Sequence, residues 1–252
     1  MSNGPARPLT ARSIIASTLL GTHPPRMSVG VLVRSCALFG VRENAARVAL
    51  TRMVAAGELT TDNGRYALVG RLRDRQLRQD RSRRGIDPGA SWDGTWRLAV
   101  VTREARSPIE RADLRRSLAQ HRFAEWREGL WTRPDNLDET GDQHAGCTLV
   151  PGALPPGPKE LAERLFATGA WATRARALVD DIDRMQRRLQ PGDSQSLAEA
   201  FVLNATVLRH LQADALLPGE LLPSRWPGER LRQRFERFDT GFLSVWRDHL
   251  QA

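Results

Sequence analysis

Side chains that can read the edges of base pairs share one face of the segment 40–57. An α-helix turns by about 100° per residue, so residues three or four apart lie on the same side. One arc of this segment, mostly polar, contains Asn44, Arg47, Val48 and Thr51. The opposite arc, which is apolar, contains Ala46, Ala49, Leu50 and Met53. Because arginine can pair with guanine and asparagine with adenine, the spacing predicts a recognition helix with one buried face and one face turned to DNA.

Two shorter helices are predicted just before this segment. Thr10 is placed to cap a helix over 11–20. Ser28 is placed to cap a second helix over 29–39, which Gly40 closes. A helix, a short turn and an amphipathic helix with an exposed polar face are typical of a helix-turn-helix.

A β-hairpin is predicted directly after the recognition helix. Asn63 and Gly64 separate two short β-prone runs, 58–61 and 65–68, and both residues tolerate the positive φ of a type I′ turn. Such a hairpin is the wing of a winged helix-turn-helix domain, which we assign to residues 1–70. The predicted DNA contacts are Arg42, Asn44, Arg47 and Thr51 in the major groove, Arg52 on the phosphates, and Asn63 and Arg65 on the wing.

The net charge of +9 belongs entirely to the first third of the chain. Residues 1–91 contain 15 arginines and six acidic residues, whereas residues 92–252 contain 23 basic and 23 acidic residues. This asymmetry indicates a polyanionic partner for the first third, with nucleic acid favoured over an anionic membrane surface. Single strands fit less well than duplex DNA, because Phe39 and Tyr66 are the only aromatic residues there that could stack on bases.

Seven arginines lie in the stretch that follows the hairpin. The predominant interpretation of such a charge run is a solvated linker, here over 71–91, and the alternative is an auxiliary set of phosphate contacts. The seven are Arg71, Arg73, Arg75, Arg78, Arg81, Arg83 and Arg84.

The remainder of the chain is predicted to form two further domains, one with strands and helices and one with helices alone. The predicted fold class is therefore α+β. In a central domain over 92–172, the order strand, helix, strand, strand, helix suggests a ferredoxin-like sandwich. Its strands are predicted at 96–102, 129–134 and 147–150, with a short last strand near 169–171, and its helices at 111–120 and 158–167. A helical domain over 173–252 contains predicted helices at 173–189, 194–211 and 227–250.

Catalytic and metal-binding patterns are sparse. His144 and Cys147 are spaced like two metal ligands, but no second pair accompanies them. The acidic residues Asp180, Asp181 and Asp183 do not share one helix face, so a solvated or Arg-paired cluster is favoured over a two-carboxylate site. We therefore expect no cofactor, no metal and no enzymatic activity.

The expected location is the cytoplasm. No apolar run approaches the ~20 residues needed to cross a bilayer, and residues 1–8 lack the apolar stretch of a signal peptide. Cys36 and Cys147 are far apart and are expected to be reduced thiols that fill space.

Several motifs, in matching order along the whole chain, resemble the PaaX family of bacterial transcriptional repressors of phenylacetate degradation and their relatives. Two of them, Trp-Asp-Gly-x-Trp and Leu-Leu-Pro…Trp-Pro, are fairly specific. The matching segments are 11–14, 40–57, 92–96, 129–134, 217–223 and 226–227.

The resemblance implies a dimeric, DNA-binding repressor of a catabolic operon that leaves its operator when an aryl-acyl-CoA such as phenylacetyl-CoA binds. A CoA thioester needs arginine for its phosphates and an apolar slot for its acyl group, so Trp131, Arg133 and Trp171 are candidate effector residues. Core packing is the favoured alternative for the two tryptophans.

Two other functions are left open by the sequence. The central domain of the family is similar to a small CRISPR-associated nuclease, which makes a metal-dependent nuclease the first alternative. That nuclease carries a metal-binding aspartate at the end of its first strand, where this chain has Val100, Val101 and Thr102. The second alternative is a protein that binds DNA without sequence preference.

Overall fold

The computed structural model of the protein describes residues 9–86, 91–102, 107–137, 146–154 and 157–251. Both helices and sheets are present, which confirms the α+β class. The described helices are α1 (Ala11–Leu20), α2 (Val29–Ala37), α3 (Glu43–Ala55), α4 (Gly70–Arg84), α5 (Pro108–Gln120), α6 (Pro158–Phe166), α7 (Thr168–Arg188), α8 (Ser194–Gln212) and α9 (Gly228–Gln251). The described strands are β1 (Arg26–Ser28), β2 (Leu59–Asp62), β3 (Arg65–Leu68), β4 (Trp96–Val101), β5 (Ala124–Arg127), β6 (Leu130–Pro134) and β7 (Cys147–Gly152).

The chain divides into two compact units, each built from separate stretches of sequence. Unit 1 comprises Met1–Arg83, Leu178–Gln212 and Arg232–Ala252. Unit 2 comprises Arg84–Ala177 and Ala213–Leu231. The predicted boundaries at residues 70, 91 and 172 assume consecutive domains, and they remain a prediction.

The first helices of unit 1 begin where their capping residues predict. The backbone N–H of Ser13 donates to Thr10 Oγ1 at 3.2 Å, and that of Val31 donates to Ser28 Oγ at 3.5 Å. Helix α2 ends at Ala37, two residues earlier than predicted. A helix is present as α3 at the position of the predicted recognition helix, and its role in reading DNA remains a prediction.

The predicted hairpin is also confirmed, and it belongs to a larger sheet than expected. Asn63 and Gly64 have φ of 49° and 71°, the positive values that a type I′ turn requires. Strand β1, which was not predicted, pairs antiparallel with β3 to give the order β1-β3-β2. At three residues, directly after two prolines, β1 is too short to show alternation.

The Arg-rich stretch predicted as a solvated linker is largely the helix α4, which corrects that expectation. Its buried residues recur every three or four positions, as in any helix packed on one side. They are Leu72, Gln76, Gln79 and Ser82. Because three of the four are polar, the hydrophobic pattern that reveals most helices is missing here.

Unit 2 contains a four-stranded sheet in the order β5-β6-β4-β7, with antiparallel neighbours throughout. The predicted strands β4, β6 and β7 and the predicted helices α5 and α6 are confirmed, whereas β5 was not foreseen. The predicted strand near 169–171 is wrong, because these residues lie in the first turn of α7. A tryptophan in a short apolar segment does not by itself distinguish a strand from a buried helix turn.

Two apolar cores fill unit 2. One is centred on Trp96, Leu161 and Leu217. The other combines Leu118 of α5 with Trp131 of β6. The sheet and its helices are therefore held by ordinary apolar burial.

Three C-terminal helices confirm the helical prediction for 173–252, and two of them build the aromatic part of unit 1. Phe201 of α8 stacks on Trp246 of α9, with ring centroids 5.1 Å apart. The centroid of the Phe201 ring also lies 5.0 Å from that of Phe39, which follows α2. The Arg34 Nε donates to the Leu250 carbonyl at 2.7 Å. The N-terminal helices and the end of the chain thus share one core.

Among the described residues, no helix combines the length and apolarity that a bilayer crossing requires.

Candidate nucleic-acid interface

Helix α3 is fixed by its apolar face and leaves its polar face open. Ala46, Leu50 and Met53 are each at most 1% exposed. The residues predicted to meet DNA, Asn44, Arg47, Thr51 and Arg52, are all exposed. Arg42 takes the N-cap position and is exposed as well.

Arg47 is oriented along its own helix rather than into a neighbour. Its Nε donates to Glu43 Oε1 at 2.8 Å, and both side chains are more than half exposed. An exposed i,i+4 pair of this kind contributes little free energy, because water competes for both groups. The guanidinium can therefore leave Glu43 for a base or a phosphate at small cost.

Val48 completes the polar face, although it was not among the predicted contacts. Its side chain is 49% exposed, which is unusual for a large apolar residue in a helix that packs on the other side. Apolar contact with the thymine methyl group is one of the ways in which major-groove sequence is read. The signal was present in the sequence, since Val48 lies on the same arc as Asn44 and Arg47.

The hairpin places the two remaining predicted contacts at and beside its turn. Asn63 and Arg65 are both exposed. An exposed ion pair at 2.8 Å joins Arg26 of β1 to Asp62, the residue of β2 directly before the turn. The tip of the hairpin is accessible, while β3 is paired on both sides by β1 and β2.

An ion pair connects the first helix to the junction between α3 and the hairpin. Arg12 Nε donates to Glu58 Oε2 at 2.9 Å, and a second contact joins Arg12 Nη2 to Glu58 Oε1. This hydrogen bonding to Glu58 raises the pKa of Arg12. The backbone N–H of Val69 donates to the Glu58 carbonyl at 3.1 Å, which closes the base of the hairpin.

The described residues do not assemble a metal-binding cluster. No group of three His, Cys, Asp or Glu side chains that could hold a metal ion occurs in the part of the chain that the structure describes. Asp181 pairs with Arg184, and Asp183 lies 3.3 Å from Arg234, so the acidic cluster of α7 is Arg-paired. His144, which is spaced from Cys147 like a metal ligand, lies outside the described residues.

Neither cysteine is in a disulfide bond in the described part of the chain, and the two lie in different surroundings. Cys36 is fully buried, and burial raises the pKa of its thiol to about 11. Cys147 is half-buried on β7. A buried thiol with a raised pKa is a poor nucleophile, which fits the space-filling role expected for Cys36.

The three candidate effector residues are buried in unit 2. Trp131 is 8% exposed, and Arg133 is 1% exposed with its guanidinium 5.1 Å from the centre of the Phe123 ring. Trp171 is 8% exposed and stacks on Trp226 at 4.6 Å. These contacts agree with the packing alternative for the tryptophans, and a role in effector binding remains a prediction.

Three helices followed by a hairpin, with an exposed Arg- and Asn-bearing face on the third helix, are typical of DNA-binding regulators. Family models match three consecutive parts of the chain. Residues 10–75 match the PaaX-like protein, 89–147 the PaaX protein central Cas2-like domain, and 166–252 the PaaX-like protein C-terminal domain. The chain belongs to the PaaX-like family.

A solved structure is similar to this chain over nearly its whole length. The uncharacterized protein Rv0674 from Mycobacterium tuberculosis is 37% identical in sequence, with a TM-score of 0.69. The alignment covers 96% of this chain and 99% of that one. No curated protein matches this chain.

Proposed function

We propose that this protein is a dimeric transcriptional repressor that binds an operator in double-stranded DNA through a winged helix-turn-helix in unit 1. The observation that carries the proposal is the polar face of α3, where Asn44, Arg47, Val48 and Thr51 are all exposed beside a hairpin tip. Arg47 and Asn44 read base edges in the major groove, Arg52 neutralises phosphates, and Arg65 does so from the wing.

The proposed target is an operon for phenylacetate or related aromatic catabolism, and the proposed effector is an aryl-acyl-CoA such as phenylacetyl-CoA. Membership of the PaaX-like family supports both. Two copies of the chain would place two recognition helices on successive major grooves, so the operator would be a palindrome with its half-sites about one helical turn apart.

We assign the sheet of unit 2 to the ferredoxin-like class. Its order β5-β6-β4-β7, with antiparallel neighbours, supports the assignment, although helix α6 follows β7 instead of preceding it. In this protein we propose a structural role for the domain. Val101 ends β4, where a related nuclease carries a metal-binding aspartate.

The proposal is tested by selecting DNA from a random duplex library with the full-length protein. A single palindromic motif should be enriched, and Arg47→Ala should lose about 1–3 kcal/mol of discrimination between that motif and random DNA. Arg237→Ala removes the same charge from an exposed position on α9 and is expected to keep the wild-type preference.

Three results would contradict the proposal. Enrichment of no motif would favour a DNA-binding protein without sequence preference. Unchanged selectivity in Arg47→Ala would remove α3 from the reading of sequence. Progressive cleavage of labelled duplex after addition of Mg²⁺ or Mn²⁺ would establish the nuclease alternative instead.

A further inference from the structure

A pocket in unit 1 lies between the end of α1 and the helices α4, α8 and α9. Its cavity volume is ≈ 60 Å³, enough for several non-hydrogen atoms because one water molecule requires only about 10–15 Å³. None of the residues predicted to bind an effector lines it. The pocket is thus separate from both the polar face of α3 and the core of unit 2.

One wall of the pocket is aromatic. Phe201, Phe242 and Trp246 line it, and the ring centroids of Phe242 and Trp246 are 5.6 Å apart. Each of these three residues is at most 5% exposed. An apolar wall with a few polar groups beside it is the usual composition of a small-molecule site.

Two arginines line the same pocket without a partner of opposite charge. Neither Arg75 of α4 nor Arg209 of α8 forms an ion pair or side-chain hydrogen bond with the described residues. Both residues are exposed, so they lie at the opening of the pocket. Desolvation, followed by the charges of Arg209, Arg78 and Arg12, lowers the pKa of Arg75. The positive charges are therefore crowded together, an arrangement that an anion would relieve.

The one carboxylate among the described pocket residues does not supply that anion. Asp239 is 5% exposed and already accepts two hydrogen bonds. Asn204 Nδ2 donates to one of its oxygens at 2.6 Å, and Arg83 Nη2 donates to the other at 2.7 Å. Asp239 is thus neutralised by Arg83, and the charges of Arg75 and Arg209 remain uncompensated.

A buried hydrogen-bond donor also lines the pocket. Gln79 is 3% exposed, and its Nε2 has no hydrogen-bond partner in the described part of the chain. Its Oε1 is held by Gln212 Nε2 at 3.5 Å. An unsatisfied buried donor costs free energy, so an acceptor supplied from outside would bind here with a favourable contribution.

We propose that this pocket binds a small molecule in which an anionic oxygen group is joined to an aromatic or alkyl body. The anionic oxygens lie against Arg75 and Arg209, an oxygen acceptor meets Gln79, and the apolar body lies on the rings of Phe242 and Trp246. A free aryl carboxylate and an aryl-acyl-CoA share this chemistry, the second through its phosphates and its thioester carbonyl.

The pocket is placed to influence DNA binding, a step that rests on the proposed function. Gln76, one turn before Gln79 on α4, donates from Nε2 to the carbonyls of Leu20 and Thr22 at 3.1 and 3.0 Å. The same end of α1 lines the pocket, and α1 packs against α3. A ligand between these helices therefore acts on the element that supports the recognition helix.

Binding is tested with full-length protein by isothermal titration calorimetry against phenylacetate, phenylacetyl-CoA, CoA and inorganic phosphate. At least one aromatic ligand should bind, and Arg75→Ala and Gln79→Met should each raise its Kd by about tenfold. Arg78→Ala, a charge change next to Arg75 outside the pocket lining, is expected to bind as the wild type does. Preference for phenylacetate or for phenylacetyl-CoA identifies the source of the anionic oxygens.

A merely structural role predicts a different pattern. Arg75 has no partner among the described residues and Gln79 has only the long contact from Gln212, so both variants should keep a Tm close to that of the wild type while their Kd for the ligand rises. Failure of both aromatic ligands to bind would overturn the proposal, and so would equal binding of CoA or phosphate alone. Wild-type Kd values in Arg75→Ala and Gln79→Met would equally overturn it.

The regulatory step has its own measurement. Ligand should weaken binding of the selected DNA by the wild type, and about tenfold more ligand should be needed for the same effect on Gln79→Met. Ligand binding without any change in DNA affinity would remove the regulatory step. Ligand binding by a protein that selects no DNA motif would instead contradict the proposed function and leave the pocket in place.

Discussion

Helices α3 and α4 belong to the same unit and both carry several arginines, yet they bury opposite kinds of residue. The inner face of α3 consists of Ala46, Leu50 and Met53. The inner face of α4 combines Leu72 with Gln76, Gln79 and Ser82. One helix is fixed by apolar contact and the other largely by hydrogen bonds.

This difference separates the surface that we propose reads DNA from the helix that carries the proposed ligand site. An apolar inner face needs no specific partners, so α3 can expose all of its hydrogen-bonding groups to DNA. A polar inner face must be satisfied group by group. On α4, Gln76 is satisfied by the carbonyls of α1, whereas Gln79 retains an unpaired donor.

The largest effect is expected where α3 is fixed. Leu50→Ala should lower the free energy of unfolding by about 2–5 kcal/mol, because a 1% exposed side chain is removed and a cavity remains. Urea denaturation followed by circular dichroism measures it. Val48→Ala, on the exposed face of the same helix, should change stability by no more than about 0.5 kcal/mol. Similar losses in the two variants would show that α3 does not bury one face only.

A smaller loss is expected from the polar inner face of α4. Gln76→Met removes the donor to the carbonyls of Leu20 and Thr22 and should cost about 1–3 kcal/mol of stability. The matched change Gln79→Met removes a donor without a partner among the described residues and only one long contact, from Gln212 Nε2 at 3.5 Å, so it should change the unfolding midpoint much less. Equal destabilisation by the two substitutions would contradict the distinction between them.

The smallest effect concerns the arginines outside α3. Arg65→Ala should weaken binding to all DNA sequences alike and reduce the slope of log K against log[salt] by about 0.9. Arg78→Ala on α4 should leave that slope unchanged. Fluorescence anisotropy with a labelled duplex at several salt concentrations measures both. A reduced slope for Arg78→Ala would revive the interpretation of the Arg-rich stretch as an auxiliary set of phosphate contacts.

The same contrast explains how far the sequence predicts the fold. Capping residues, the Asn63-Gly64 turn and the apolar arc of α3 are local signals, and each was found where the structure has it. Helix α4 lacks an apolar arc, and β1 is only three residues long, so neither produces a periodic pattern. The strand prediction at the first turn of α7 is wrong because a short apolar run has no periodicity that distinguishes a strand from a helix.

The pocket is less predictable than the DNA-binding face for a further reason. Its lining residues Arg75, Gln79, Arg209 and Trp246 come from parts of the chain more than 100 residues apart. Only the packing of α8 and α9 beside α1 and α4 brings them together. The polar face of α3, in contrast, lies within eight consecutive residues and can be recognised by helical spacing alone.

The connection between α3 and α4 has no room for a methyl group at Gly70. Its φ is +52°, and a Cβ atom there would lie 2.9 Å from the carbonyl oxygen of Gly57, just after α3. Any side chain at this position must push the start of α4 away from the end of α3. A Gly70→Ala allele would therefore keep every residue proposed to contact DNA or to line the pocket, while it shifts α4, whose Gln76 holds the end of α1, relative to α3. Under the proposed regulation, its phenotype in a cell would be an operon that stays silent when the inducing compound is present.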